Sequence, residues 1–141
     1  MPFTHHLRVR YAEVDAQGVV FNAHWLTYAD DATTRFFEHL GYDPATLWSD
    51  TAAPFDIMVR ASSLDFAGAV HFDEEVAIDV APTRLGSSSF DLRYAARVGD
   101  RPAVTITSTY VVVVPGEQRS QPIPDELRAR LERDLVPAGG S

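Results

Sequence analysis

The sequence predicts an α+β fold: an antiparallel five-stranded sheet carrying one long helix, with a short helix near the C-terminal end. Three observations carry this expectation. Apolar residues alternate at the start of the chain, they shift to helical spacing between residues 23 and 40, and four more strand-like stretches follow, divided by turns bearing Gly or Pro.

In the first stretch, Phe3, Leu7, Val9 and Tyr11 fall on one side of an extended chain, with Thr4, His6, Arg8 and Arg10 on the other. A half-buried strand over 3–11 follows. Residues 12–18 read as a turn, and Gly18 marks a position free to take a positive φ. Trp25, Tyr28, Ala29, Ala32, Phe36 and Leu40 then keep i, i+3, i+4 spacing, and Leu26, Thr33 and Phe37 widen the stripe until most of the helix is apolar. Gly41 stands just past its end as a C′ residue, and Asp43-Pro44 reads as an N-cap and first helical position for a short turn through Leu47.

The later strands are expected over 57–65, 75–84, 88–97 and 103–114, joined as antiparallel hairpins. The run Val111 to Val114 suits a strand buried on both faces, hence a central one. Residues 124–135 read as a terminal helix opened by Pro124-Asp125-Glu126. One domain over 1–136 and a loose tail over 137–141 complete the expected organisation.

Composition narrows the chemistry. A chain of 141 residues can bury roughly two-thirds of its surface, enough for a core without staples. Cysteine is absent, which excludes disulfides, thiolate metal sites and a cysteine nucleophile. All 12 basic residues are Arg, so Schiff-base chemistry and a P-loop are excluded, and a net charge of −8 speaks against non-specific nucleic-acid binding. An anionic ligand needs a few local Arg side chains and main-chain N–H groups. His5, His6, His24 and His71 lack the spacing of zinc ligands, so no metal is expected. No apolar run reaches the roughly 20 residues of a membrane span, and the start lacks the blocks of a signal peptide, so the cytosol is the expected compartment.

The stretch from Arg8 to Leu26 carries an aromatic at Tyr11, Asp15 before the Gln17-Gly18 pair, an apolar pair at Val19-Val20, then Asn22 three residues before Trp25. This pattern resembles the opening of the 4-hydroxybenzoyl-CoA thioesterase-like hotdog family. Further matches run to Tyr28, Asp31-Ala32, Gly41, Phe72 to Glu75, Arg84 to Ser89 and Pro122 to Pro124, so the resemblance covers nearly the whole chain. It implies a single sheet wrapped around the long helix and an acyl-CoA thioesterase that uses no cofactor beyond the CoA of its substrate.

Hydrolysis of a thioester requires a base or nucleophile at the carbonyl carbon and donors where the oxyanion forms. The resemblance gives the first role to Asp15. It gives the second to the backbone N–H at Asn22, beside the first N–H groups of the helix, with Gly18 shaping the loop before it. Val20, Trp25 and Tyr28 become substrate wall, while Arg84, Ser87 and Ser88 are best placed for the CoA phosphates, with Arg60 and Arg93 as further candidates. Homodimers or tetramers with sites between chains are implied as well.

Spacing alone also allows plainer roles. Asp15 fits a turn residue, the Asn22 side chain fits a helix N-cap, the aromatic residues fit a core, and the Arg residues fit surface ion pairs. Asp30 and Asp31 are secondary catalytic candidates, because another hotdog branch uses an acid on the central helix. His24 is a candidate for assisting the chemistry. The competing functions are an acyl-thioester dehydratase or hydratase, disfavoured because no His follows Asp15 by five residues, and a non-catalytic acyl-CoA-binding module, disfavoured by the retained Asp15.

Overall fold

A computed structural model describes residues 3–47 and 53–137. The expected tail, apart from Pro137, lies outside the described residues. The order is β1 (Phe3–Arg8), a 3-10 turn (Tyr11–Glu13), α1 (His24–His39), α2 (Pro44–Leu47), β2 (Asp56–Phe66), β3 (Glu75–Leu85), β4 (Ser89–Val98), β5 (Arg101–Val113) and α3 (Asp125–Asp134).

The five strands form one antiparallel sheet in the order β1-β3-β4-β5-β2. Alternation decides which face is buried: Phe90, Leu92, Tyr94 and Ala96 of β4, with Ile106, Ser108, Tyr110 and Val112 of β5, point to one side. Against that side α1 lays Trp25, Tyr28, Ala29, Ala32, Thr33, Phe36 and Phe37. The sheet thus wraps one side of the long helix, the hotdog arrangement that the resemblance implies. Leu26, Asp31 and Glu38 on its other side stay exposed, so the helix is less enclosed than its apolar stripe suggests.

Few polar groups enter this core, and each has partners. Thr33 Oγ1 donates to the Ala29 carbonyl 2.7 Å away and meets the Tyr94 hydroxyl, which lies 2.7 Å from that of Tyr110. Among the described residues no buried side-chain polar atom lacks a hydrogen bond. At the far end of α1, Leu127 and Leu131 of α3 close the core, and Val136 N–H donates to the Pro82 carbonyl at 2.9 Å.

The register corrects two expectations. β2 does not form a hairpin with β3; it crosses to the opposite edge and pairs with β5, from Asp56 opposite Val113 to Phe66 opposite Val104. Residues 67–74 make the crossing, tied down where Ala67 and Gly68 N–H share the Ala103 carbonyl and Arg101 reaches both the Ala69 carbonyl and Glu74. The first strand also ends at Arg8, because Glu13 folds back onto Arg10 and turns the chain out of the sheet, leaving Tyr11 79% exposed. The expected central strand is in place, since β5 lies between β4 and β2, although within the valine run only Val112 and Val113 are buried.

The outer edges differ. β2 leaves Met58, Val59 and Phe66 exposed, with a bulge between Val59 and Ala61. No described helix is long and apolar enough to cross a membrane. Phe36, fully buried between Phe3, Phe37 and His39, anchors α1 to the sheet. Phe36→Ala is expected to lower unfolding free energy by about 3–5 kcal/mol, read by urea titration, whereas a loss below about 1 kcal/mol contradicts this packing.

Candidate active site

Between the 3-10 turn and α1 the chain makes a short loop closed on itself. Glu13 accepts the Phe21 N–H at its carbonyl, Val14 bridges Val20, and the Asp15 N–H donates to the Val19 carbonyl at 2.9 Å. At the tip, Gly18 N–H returns to the Asp15 carbonyl at 3.0 Å with φ of +77° at Gly18. A Cβ built there would meet nothing within 4 Å. Glycine is thus required by the left-handed conformation, not by crowding from the protein.

Asp15 is half-buried at this tip. Its Oδ1 accepts the Gln17 N–H at 2.8 Å, which fixes the carboxylate, and Oδ2 has no partner among the described residues. Both the turn role and a chemically available oxygen are therefore present in one side chain.

The loop delivers the chain into α1. Ala23, not Asn22, holds the cap position, already in helical conformation and without a side-chain cap bond. His24 N–H donates to the Phe21 carbonyl and Trp25 N–H to the Asn22 carbonyl, leaving the N–H groups of Asn22 and Ala23 without an acceptor among the described residues. Two unpaired donors at the positive end of a 16-residue helix suit a developing negative charge.

Beside these donors opens a cavity of about 500 Å³, walled by Val19, Val20, Asn22, Trp25, Phe66 and Val70 among others. Val20, Asn22 and Trp25 thus come together as expected of a site, next to the loop that carries Asp15 and Gly18. Tyr28 goes elsewhere: it is buried, meets Trp25 edge-on at 5.4 Å, and faces a second cavity of about 390 Å³ with Arg10 and Glu13.

Arg84, Ser87 and Ser88 lie at the opposite end of the sheet. Ser88 and Ser87 carbonyls accept the N–H groups of Val112 and Ile123, and Arg84 is held by Asp91 and Ser89. The register separates this turn from the cavity by about seven residues of β5, roughly 25 Å at strand spacing. Arg60 stands at the bulge of β2 and Arg93 on β4.

The secondary candidates are also placed. Asp31 Oδ2 pairs with His5 Nε2 at 2.8 Å. Asp30 faces a third cavity with Thr33 and Tyr110, and burial pushes its carboxyl up. His24 is half-buried against the ring of Phe21, 6.2 Å away. No three His, Asp or Glu side chains among the described residues converge as a metal site.

Glu13 was hidden in a stretch that reads as a turn. Its Oε1 accepts the Arg10 N–H at 2.9 Å and the Tyr28 hydroxyl at 2.8 Å, and its Oε2 accepts Arg10 Nε at 3.0 Å. Burial pushes its carboxyl up, but these hydrogen bonds and the Arg10 charge outweigh it and hold it below the usual glutamate range. Burial and the adjoining carboxylate push the Tyr28 phenol far up, so it remains a donor. The spacing Arg10-Glu13, a capping pair across a 3-10 turn, is the one signal that could have found this residue.

The model of the family described as thioesterase-like superfamily matches residues 9–131. A 1,4-dihydroxy-2-naphthoyl-CoA hydrolase of Nostoc punctiforme is 24% identical over 141 residues, covering 100% of this chain and 94% of its own. Its counterpart from Thermosynechococcus vestitus is 29% identical over 126 residues, 88% of this chain and 84% of the relative. The crystal structure of a thioesterase superfamily protein from Jannaschia sp. CCS1 superposes with a TM-score of 0.88 at 24% identity, covering 96% of this chain and 94% of that one.

A carboxyl held lower in the folded than in the unfolded chain stabilises the fold above its unfolded value, and that contribution disappears as pH falls through the folded value. Glu13→Gln is therefore expected to unfold at lower urea than the wild type near neutral pH, with the gap closing below about pH 4. Urea titrations across that range check it, and a gap independent of pH contradicts it.

Proposed function

The chain belongs to the thioesterase-like superfamily, and on that footing we propose that it hydrolyses an aromatic acyl-CoA thioester to the free acid and CoA. The observation that carries this is the meeting of three parts: unpaired Asn22 and Ala23 N–H groups, the Asp15 loop, and an apolar cavity walled by Trp25 and Phe66. The relatives named as 1,4-dihydroxy-2-naphthoyl-CoA hydrolases support both the reaction and a hydroxylated aromatic acyl group. A cavity of about 500 Å³ with two aromatic walls suits a planar ring system.

In this mechanism the acyl group enters the cavity and its carbonyl oxygen takes up the two helix-terminal N–H groups. Asp15 acts at the carbonyl carbon, either as general base on a water or as the attacking carboxylate. In the first case water adds, the proton passes to Asp15, the C–S bond breaks, and the CoA thiolate leaves and is protonated. In the second, the Asp15 carboxylate adds to the carbonyl carbon, the C–S bond breaks, the CoA thiolate leaves and is protonated, and water then cleaves the mixed anhydride to the free acid and Asp15. Gln17 N–H holds one carboxylate oxygen and leaves the other for this work. Each oxyanion donor contributes on the order of 3 kcal/mol to the rate.

The exposed edge of β2, with Met58, Val59 and Phe66, supports pairing with a second copy across that edge. The Arg84, Ser87 and Ser88 turn, at the far end from its own cavity, then serves CoA bound at a neighbouring protomer.

Two measurements test this reading. Across a panel of short, medium, long and aromatic acyl-CoAs, aromatic thioesters are expected to turn over fastest. Asp15→Asn should lower kcat at least about 10²-fold, and a loss within about threefold contradicts the assignment. By light scattering the wild type should have twice the chain mass of 15.6 kDa or a multiple of that, and Val59→Asp should shift it toward the monomer; a wild-type monomer contradicts the pairing.

A further inference from the structure

The carboxylate of Glu13 takes no part in the hydrolysis described above, yet it is 5% exposed and bonded on both oxygens. A carboxylate withdrawn from water this far persists only with such partners. What the bonds join is informative. Arg10 ends the segment that leaves β1, Tyr28 belongs to α1, and the Glu13 carbonyl closes the neck of the Asp15 loop by accepting Phe21 N–H at 3.0 Å. Only Val14 separates Glu13 from Asp15, and the Tyr28 ring packs edge-on against Trp25, a wall of the cavity.

We propose that Glu13 is a positioning residue for the hydrolysis: through Tyr28 and Arg10 it locks the neck of the Asp15 loop to α1, and so sets where Asp15 stands relative to the Asn22 and Ala23 N–H groups. This rests on the assignment of Asp15 made above. Glu13 does not line the acyl cavity, so it acts through the loop and not on the substrate. Its leverage is geometric. The carboxylate and the oxyanion donors sit on different elements, and a displacement of about 1 Å between them is enough to slow a reaction by up to about 10²-fold. Without the Tyr28 bond, the loop would be held to α1 mainly by the chain that enters it.

Tyr28→Phe removes one hydroxyl and keeps the ring packed on Trp25, while Glu13→Gln keeps the shape and removes the charge. Each is made in the wild-type and Asp15→Asn backgrounds, and kcat and KM are measured with an aromatic acyl-CoA at a temperature where circular dichroism shows every variant folded. Amide hydrogen exchange at Asp15, Gln17 and Gly18, whose N–H groups are bonded within the loop, is followed in parallel. Both substitutions are expected to lower kcat about tenfold with KM within about twofold, to speed exchange at those three amides, and to leave the residual rate of Asp15→Asn within about twofold. A purely structural role lowers the melting temperature but leaves kcat of the folded enzyme unchanged, or slows both backgrounds equally, and either result overturns the proposal. If Glu13→Gln fails to fold, Tyr28→Phe decides alone. Full activity in Asp15→Asn itself would overturn the underlying catalytic assignment, and the positioning role with it; loss there combined with normal kcat in Tyr28→Phe overturns the positioning role alone.

Discussion

The packing of α1 across one face of the sheet is the constraint on which the remaining features depend. Phe36 and Phe37 bury the C-terminal half of the helix, and Trp25 and Tyr28 bury the first turns. Once those contacts are made, the direction of the helix is set and its N-terminal N–H groups must emerge beside Val19, Val20 and Phe66. The candidate site is thus a by-product of burying an apolar helix. Its proposed donors are main-chain groups, which no substitution at Asn22 removes while the helix stands.

The sheet divides the labour between interior and edges. β3, β4 and β5 carry the alternating core residues and supply stiffness, whereas β2 at one edge keeps apolar side chains in solvent and β1 at the other feeds the Asp15 loop. The segment over 67–74 carries the chain from the β2 edge across to interior β3 and also walls the cavity, so the crossing that β2 requires is what gives the cavity a boundary. Arg101 secures this crossing through the Ala69 carbonyl and Glu74.

Much of this was legible in the sequence, because burial leaves a periodic trace. Alternation marked all five strands to within a few residues at their ends, and the stripe from Trp25 to Leu40 marked α1. What stayed illegible was pairing that depends on distant chain. Periodicity tells which face a strand buries and is silent on its neighbour, so β2 reads as one arm of a hairpin with β3 when it belongs beside β5. Local capping chemistry likewise suggested Asn22 as the N-cap, but the chain enters the helix through Ala23. Of the candidate site, Asp15, Gly18, Val20, Asn22 and Trp25 stood in one contiguous motif; Val20, Asn22 and Trp25 line one cavity, with Asp15 and Gly18 on the loop that leads into it. Glu13 escaped notice because its partners, three residues before and fifteen after, become neighbours only when the loop folds against α1.

In the proposed mechanism the Asn22 and Ala23 N–H groups receive the thioester carbonyl oxygen within reach of Asp15. The most direct measurement is backbone amide NMR of the protein titrated with a non-hydrolysable aromatic CoA ketone, in which a methylene separates the carbonyl from sulfur. On binding, the Asn22 and Ala23 amide protons are expected to move downfield, and neighbouring loop amides at 15–20 to follow. Binding that leaves those two amides unmoved, with the largest shifts instead around Asp30 and Tyr110, would contradict it.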